Sequence, residues 1–323
     1  MNEHTKSSKF LFMAKSKVLV VGGTGYIGKR LAAASLAAGH PTYILLRREI
    51  GLDMDKLQIL FELKRRGAHL IEGSFSDHQS LVDAVKQVDV VISAMSGVHF
   101  RSHNLMMQLK LVDAIKEAGN VKRFLPSEFG SDPARMLHSL EPGRVTFDEK
   151  MTVRKAIEEA QIPYTYISAN CFAGYFVGNL SQMETLLPPK DKLFIYGDGN
   201  AKVVFMDEDD VAKYTIKTID DPRAANKTVY LRPPENILSQ RELVGIWERL
   251  TGKPLEKITI SEEDFLARLE GAPYAVQVGI GHFYHIFYEG CLTNFEVGDD
   301  EEASKLYPEV DYIRMDDYLK RYL

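Results

Sequence analysis

The stretch KVLVVGGTGYIG, residues 17–28, limits what this chain can fold into more than any other. A continuous apolar run is the pattern of a strand buried on both faces, as parallel sheets require. It leads into a G-x-G-x-x-G match at Gly23, Gly25 and Gly28, and a helical pattern, YIGKRLAAASLAAG (26–39), follows directly. Strand, glycine turn and helix in that order form a dinucleotide-binding unit. Absent side chains let the backbone approach a pyrophosphate, and the helix N-terminus offers N–H donors and positive potential. A tight strand–helix turn without a ligand is the alternative.

The alternation continues. PTYILL (41–46), HLIEG (69–73), VDVVISAM (88–95), VKRFLPS (121–127) and PYTYIS (163–168) read as strands. DKLQILFELKRRG (55–67), DHQSLVDAVKQ (77–87), NLMMQLKLVDAIKEAG (104–119) and a segment beginning near Asp148 read as helices. This predicts an α/β fold with a doubly wound parallel sheet of the Rossmann type, covered on both faces. The remainder is mixed and predicts a smaller α/β substrate-binding lobe. It includes a strand at NKTVYLRP (226–233) and helices at SQRELVGIWERLTG (239–252) and AVQVGIGHFYHIFYEG (275–290). The expected organisation is a disordered tail at 1–14, a nucleotide-binding domain at 15–169 and a mainly substrate-binding lobe at 170–323. Segments near 203–232 are expected to return to the first domain.

Composition narrows the function. With 323 residues, 45% hydrophobic and 26% charged, the chain is of the soluble globular class. A net charge of −5 without a basic block argues against nucleic acid. The apolar run Phe10–Met13 is too short for a signal-peptide core or a membrane span, so no membrane partner and a cytoplasmic location are expected. Cys171 and Cys291 sit in apolar contexts and suggest buried, reduced thiols. No Cys/His cluster has zinc spacing, and MDEDD (206–210) reads as a charged helix cap, so no metal is expected.

Two residues carry the chemistry. An acidic residue at the end of the second strand would hold the ribose 2′-OH of NAD, and an arginine would pair with the 2′-phosphate of NADP. The sequence there is YILLRRE, with Arg47 at the strand end and Glu49 beyond it. NADPH follows, with Lys56 as a second phosphate contact; a solvated Arg–Arg–Glu turn is the alternative. The second residue is Lys150. Apolar residues at 153, 156, 157 and 160 form a helical stripe, and Lys150 lies one turn upstream on the same side. It either snorkels or acts. Desolvation and the helix N-terminus would both lower its pKa and make it a candidate general base. Many reductases of this fold carry a tyrosine four residues before that lysine; here the position is Thr146.

These motifs resemble the plant phenylpropanoid reductases: pinoresinol–lariciresinol, phenylcoumaran benzylic ether and isoflavone reductases. They look like atypical, NmrA-like short-chain dehydrogenases that keep the lysine and lack the tyrosine. The matching stretches include VLVVGGTGYIGKR, QLKLVDAIKEAGNVKRFLPSEFG, FAGYF, IYGDGN and LYPEV, spread over residues 15–323. GHPTYILLR and RPPENILSQRELVGIWERL are most similar to the pinoresinol–lariciresinol branch. The resemblance implies NADPH-dependent opening of a lignan's benzylic ether ring through a quinone methide, in lignan biosynthesis. It also implies a homodimer and Lys150 as base. The expected cofactor set is Gly22, Thr24, Gly25, Tyr26, Ile27, Gly28, Arg47, Lys56, Ser93, Ala94 and Phe172.

The substrate pocket must be apolar with few polar anchors. The candidates are Met95, Val98, Phe172, Tyr175, His282 and Phe283, with ordinary core packing as the alternative for the aromatics. His282 is a candidate proton donor to the departing alkoxide. Reduction of a related benzylic ether or an isoflavone stays open, as does a non-enzymatic NADP(H) sensor on the same fold.

Overall fold

The structure, a computed structural model, describes residues 14–47, 53–97, 104–183 and 185–323. The first lobe alternates β1 (Val18–Val21), α1 (Gly28–Ala37), β2 (Thr42–Leu46), α2 (Met54–Arg65), β3 (His69–Glu72), α3 (His78–Val85), β4 (Val90–Ser93), α4 (Gln108–Ala118), β5 (Arg123–Leu125), α5 (Val145–Glu159) and β6 (Thr165–Ser168). Five parallel strands run in the order β3-β2-β1-β4-β5. A parallel bridge from Phe124 to Tyr164 carries the sheet on to β6.

The reason β1 is apolar throughout is visible in its two faces. Val18 and Val20 pack with Leu31 of α1, Leu60 of α2 and Ile44 of β2. Leu19 and Val21 face the other way, onto Leu81 of α3, Leu111 of α4 and Val153 and Ile157 of α5. A strand between two helical layers has no wet side, so alternation disappears.

The chain then forms β7 (Cys171–Phe172), α6 (Ala173–Phe176), β8 (Lys192–Tyr196), β9 (Lys202–Met206), α7 (Glu208–Thr218), β10 (Lys227–Tyr230), β11 (Ile237–Ser239), α8 (Gln240–Thr251), β12 (Glu256–Ile260), α9 (Glu262–Ala267), α10 (Tyr274–Phe287), α11 (Ala303–Leu306) and α12 (Met315–Leu319). β10 pairs in parallel with β6, and α7 packs into the same core as α1 through Val211, Ala212 and Ile216. A second core gathers Ile195, Phe205, Trp247, Phe265 and Ile286. Among the described residues, no helix is long and apolar enough to cross a membrane.

Candidate active site

The glycine turn is a backbone device. Gly22 has φ +81°, and a Cβ there would lie 2.7 Å from the Ala94 carbonyl at the end of β4. A Cβ on Gly28 would collide with the Gly22 carbonyl, and one on Gly25 would crowd the same oxygen at 3.1 Å. The turn closes through Gly25 N–H donating to Gly22 O at 2.8 Å. No side chain caps α1, and Lys29, Arg30 and Leu31 N–H already donate back to the Gly25 and Ile27 carbonyls, so it is the turn ahead of them that can offer N–H groups to a ligand. This cradle fits the pyrophosphate of NADPH. Arg47 is exposed directly after β2. Lys56 lines the cavity below, with Nζ 2.6 Å from Asp53, so a phosphate would compete with a carboxylate for it.

A cavity of about 700 Å³ runs from this turn into the second lobe. It begins at Thr24, Gly25, Tyr26 and Ile27, passes Ala94 and Met95, and ends against α10. Lys150, Phe172, Tyr175 and His282 all line it. Two expected residues, Ser93 and Phe283, stand off this wall. Val98 lies outside the described residues. Ser93 is fully buried in β4, away from the cavity wall, with its hydroxyl unpartnered. Phe283 is turned away from the cavity. The wall from α10 is Ala275, Val278, Gly279, His282 and Ile286, a helical stripe that leaves position 283 about 100° off it. Phe283 instead stacks on Phe176 at 5.2 Å and meets Tyr196 edge-on at 5.8 Å.

Tyr26 joins the two lobes. Its hydroxyl donates to Glu208 Oε1 at 2.8 Å, and the same oxygen accepts Gly174 N–H at 2.8 Å. Burial and the Glu208 carboxylate hold its pKa well above the ordinary phenol value. Tyr26 therefore acts as a fixed neutral wall, with Tyr175 5.3 Å away. The acidic run 206–210 is otherwise occupied: Asp207 caps α7, and Asp210 accepts Ile313 N–H at 2.6 Å.

Lys150 is only 8% exposed. α5 begins at Val145 rather than near Asp148, so Lys150 sits in the second turn, where the helix-terminus effect has faded. Burial alone is the main cause that lowers its pKa to about 8, with Arg154 adding to the effect and Glu128 and Asp132 opposing it. Its amine donates to the Glu128 carbonyl at 2.8 Å. Thr146, one turn earlier, lines the cavity but its buried hydroxyl has no partner.

His282 donates Nε2–H to the Gly143 carbonyl at 3.0 Å and packs on Phe147 at 5.0 Å. With that nitrogen committed, the neutral ring offers Nδ1 only as an acceptor. Apolar walls come from Met95, Met136, Phe147, Phe172, Val278 and Ile286. Cys171 and Cys291 are free, buried thiols on the same wall, and burial pushes Cys291 up to about 12.

The segment 127–131, which also lines the cavity, gave no individual residue to sequence reasoning. No local spacing announces the partner of Glu128 and Asp132, which lie 26 and 22 residues before Arg154.

A glycine cradle opening onto an apolar cavity with one buried amine defines an NADP(H)-dependent oxidoreductase. The chain belongs to the NmrA-like family, whose description matches residues 14–319. It is 75% identical to the isoflavone reductase homolog of Lupinus albus, over 96% of this chain and 100% of that protein. It is 71% identical to the bifunctional pinoresinol-lariciresinol reductase of Linum perenne, again over 96% and 100%. A solved structure of AtPrR2 with NADP+ and (+)pinoresinol is 67% identical and superposes with a TM-score of 0.95, covering 97% of this chain and 100% of that one.

Proposed function

We propose that this protein is an NADPH-dependent pinoresinol reductase of lignan biosynthesis, with lariciresinol as a second substrate for the same ring opening. The observation that carries the reading is Lys150: a buried amine with its pKa lowered to about 8, on the wall of an apolar cavity of about 700 Å³. The names of the relatives supply the substrate class.

The chemistry suits a lysine without a tyrosine. Pinoresinol holds a benzylic C–O bond para to a phenol. Lys150 takes the phenolic proton, electrons move through the ring, and the benzylic oxygen leaves, giving a quinone methide. Bound NADPH would supply the hydride for the benzylic carbon, and the phenolate this restores takes back the proton held by Lys150. No carbonyl is reduced, so no tyrosine is needed to protonate one. A base near pKa 8 is partly neutral at physiological pH, whereas an ordinary lysine at about 10.4 is not. Met95, Phe147 and Phe172 exclude water and hold the aryl groups. His282, when charged, gives its Nδ1 proton to the departing alkoxide. A homodimer in the cytosol is the expected working form.

The test is NADPH oxidation with racemic pinoresinol, followed by chiral chromatography. Lariciresinol formation is expected, and secoisolariciresinol if the second ring opens. The Lupinus albus relative's name favours one further arm, an isoflavone. Turnover of the isoflavone and none of pinoresinol would overturn the lignan assignment.

A further inference from the structure

Behind Lys150 lies a cluster of charges that the proposed reaction does not use. Glu128, Asp132 and Arg154 are each at most 7% exposed. Arg154 grips the Glu128 carboxylate with both arms, Nε to Oε1 at 2.6 Å and Nη2 to Oε2. Its remaining nitrogen, Nη1, lies 3.0 Å from Asp132 Oδ1. The guanidinium also sits over the Tyr166 ring of β6, 4.1 Å from its centre. Asp132 accepts the Tyr230 hydroxyl of β10 at 2.6 Å. Phe129, next to Glu128, has φ +37°. That kink turns the Glu128 carbonyl toward Lys150 while the carboxylate of the same residue reaches Arg154.

Burying four ionisable groups together is costly, and a structural role alone would be met as well by apolar residues. We infer that Arg154 and Glu128 are positioning residues: the pair aims the Glu128 carbonyl at the Lys150 amine and sets how readily that amine holds a proton. This rests on Lys150 being the base.

The balance is specific. With Lys150 charged, the four groups sum to zero; with it neutral, one negative charge remains. Arg154 cancels one carboxylate, which leaves the amine facing less negative potential than two free acids would create. The charged groups acting on Lys150 are Glu128 and Asp132 from the β5–α5 connection and Arg154 from its own helix. The other titratable groups on the cavity are Lys56, Tyr26, Tyr175, Cys171, His282 and Cys291.

Two substitutions should therefore act in opposite directions. Glu128→Gln keeps the backbone carbonyl and removes a negative charge, so the ascending limb of kcat against pH should move down by about one unit. Arg154→Gln frees two carboxylates, so the limb should move up by a similar amount. Arg154→Lys keeps the charge and should restore the limb. Should Arg154→Gln fail to fold, Glu128→Gln and Arg154→Lys still decide. Each variant is also titrated at Lys150 by NMR of nitrogen-labelled lysine side chains, with NADP+ bound. Opposite shifts in both readouts support the inference. Shifts in the NMR titration without shifts in kcat would leave the positioning role standing and remove Lys150 as the base. An unmoved Lys150 titration in Glu128→Gln would overturn the inference.

Discussion

The two halves of the cavity are made of different material. The nucleotide half is backbone: Gly22, Gly25 and Gly28 pack so closely that a Cβ at any of them crowds a carbonyl within 3.1 Å. The substrate half is side chain: Lys150 from α5, Phe172 before α6, and His282 with Val278 from α10. A backbone site fails when an atom is added; a side-chain site fails when a particular group is removed. Changes to the first should show in cofactor binding, and changes to the second in turnover.

The largest effect belongs to the side-chain half. Lys150→Met should lower kcat by about 10²- to 10⁴-fold, the usual worth of a positioned base, with NADPH affinity unchanged by fluorescence titration. Equal turnover would break the comparison at its centre. The same variant has a second signature. The folded pKa of Lys150 is about 8, below the 10.5 of an unperturbed amine. Between those values the unfolded chain holds the extra proton, so wild-type stability rises as pH rises through the window. Relative to wild type, Lys150→Met should thus be favoured below pH 8 and lose roughly 3 kcal/mol of that advantage by pH 10.5. Urea unfolding of both proteins at the two pH values measures it.

Next comes the backbone half. Gly28→Ala pushes a methyl group into the Gly22 carbonyl and should weaken NADPH by about tenfold or more, since displaced turns cost about 1–3 kcal/mol. Its kcat at saturating NADPH should change far less. The smallest effect sharpens cofactor choice. Arg47→Ala should cost NADPH about tenfold, one charge-assisted hydrogen bond, and leave NADH unaffected; steady-state KM values for the two nucleotides report it.

The same difference governs what the sequence made legible. A backbone site needs glycine, and glycine after an apolar strand is visible in a single line of residues. The Gly22–Gly28 turn, the β1–α1 unit and the parallel sheet were readable for that reason. Phe283 was not placed correctly, because an aromatic run such as HFYHIF has apolar residues on every side of the helix. Only the packing of Phe176 and Tyr196 decides which side is core. The strand β8 was passed over, although its burial alternates outside-in at Lys192, Leu193, Phe194 and Ile195. Its partner β12 is too polar to signal itself, being mostly exposed. For Lys150, the sequence pointed to a lowered pKa but divided the cause between burial and the helix terminus. The helix begins a turn earlier, so burial carries it. Glu128, Asp132 and Arg154 converge from two segments 22 or more residues apart, a distance that no local pattern spans.

The central claim is that Lys150 is a lysine kept ready to be neutral. The direct measurement is its own titration in wild-type protein with NADP+ bound, followed by NMR of side-chain nitrogen and assigned by loss of the signal in Lys150→Met. A midpoint near 8 is the predicted result. A midpoint near 10.5, the value of an exposed amine, would contradict the account, because the base would then be charged when the phenol arrives.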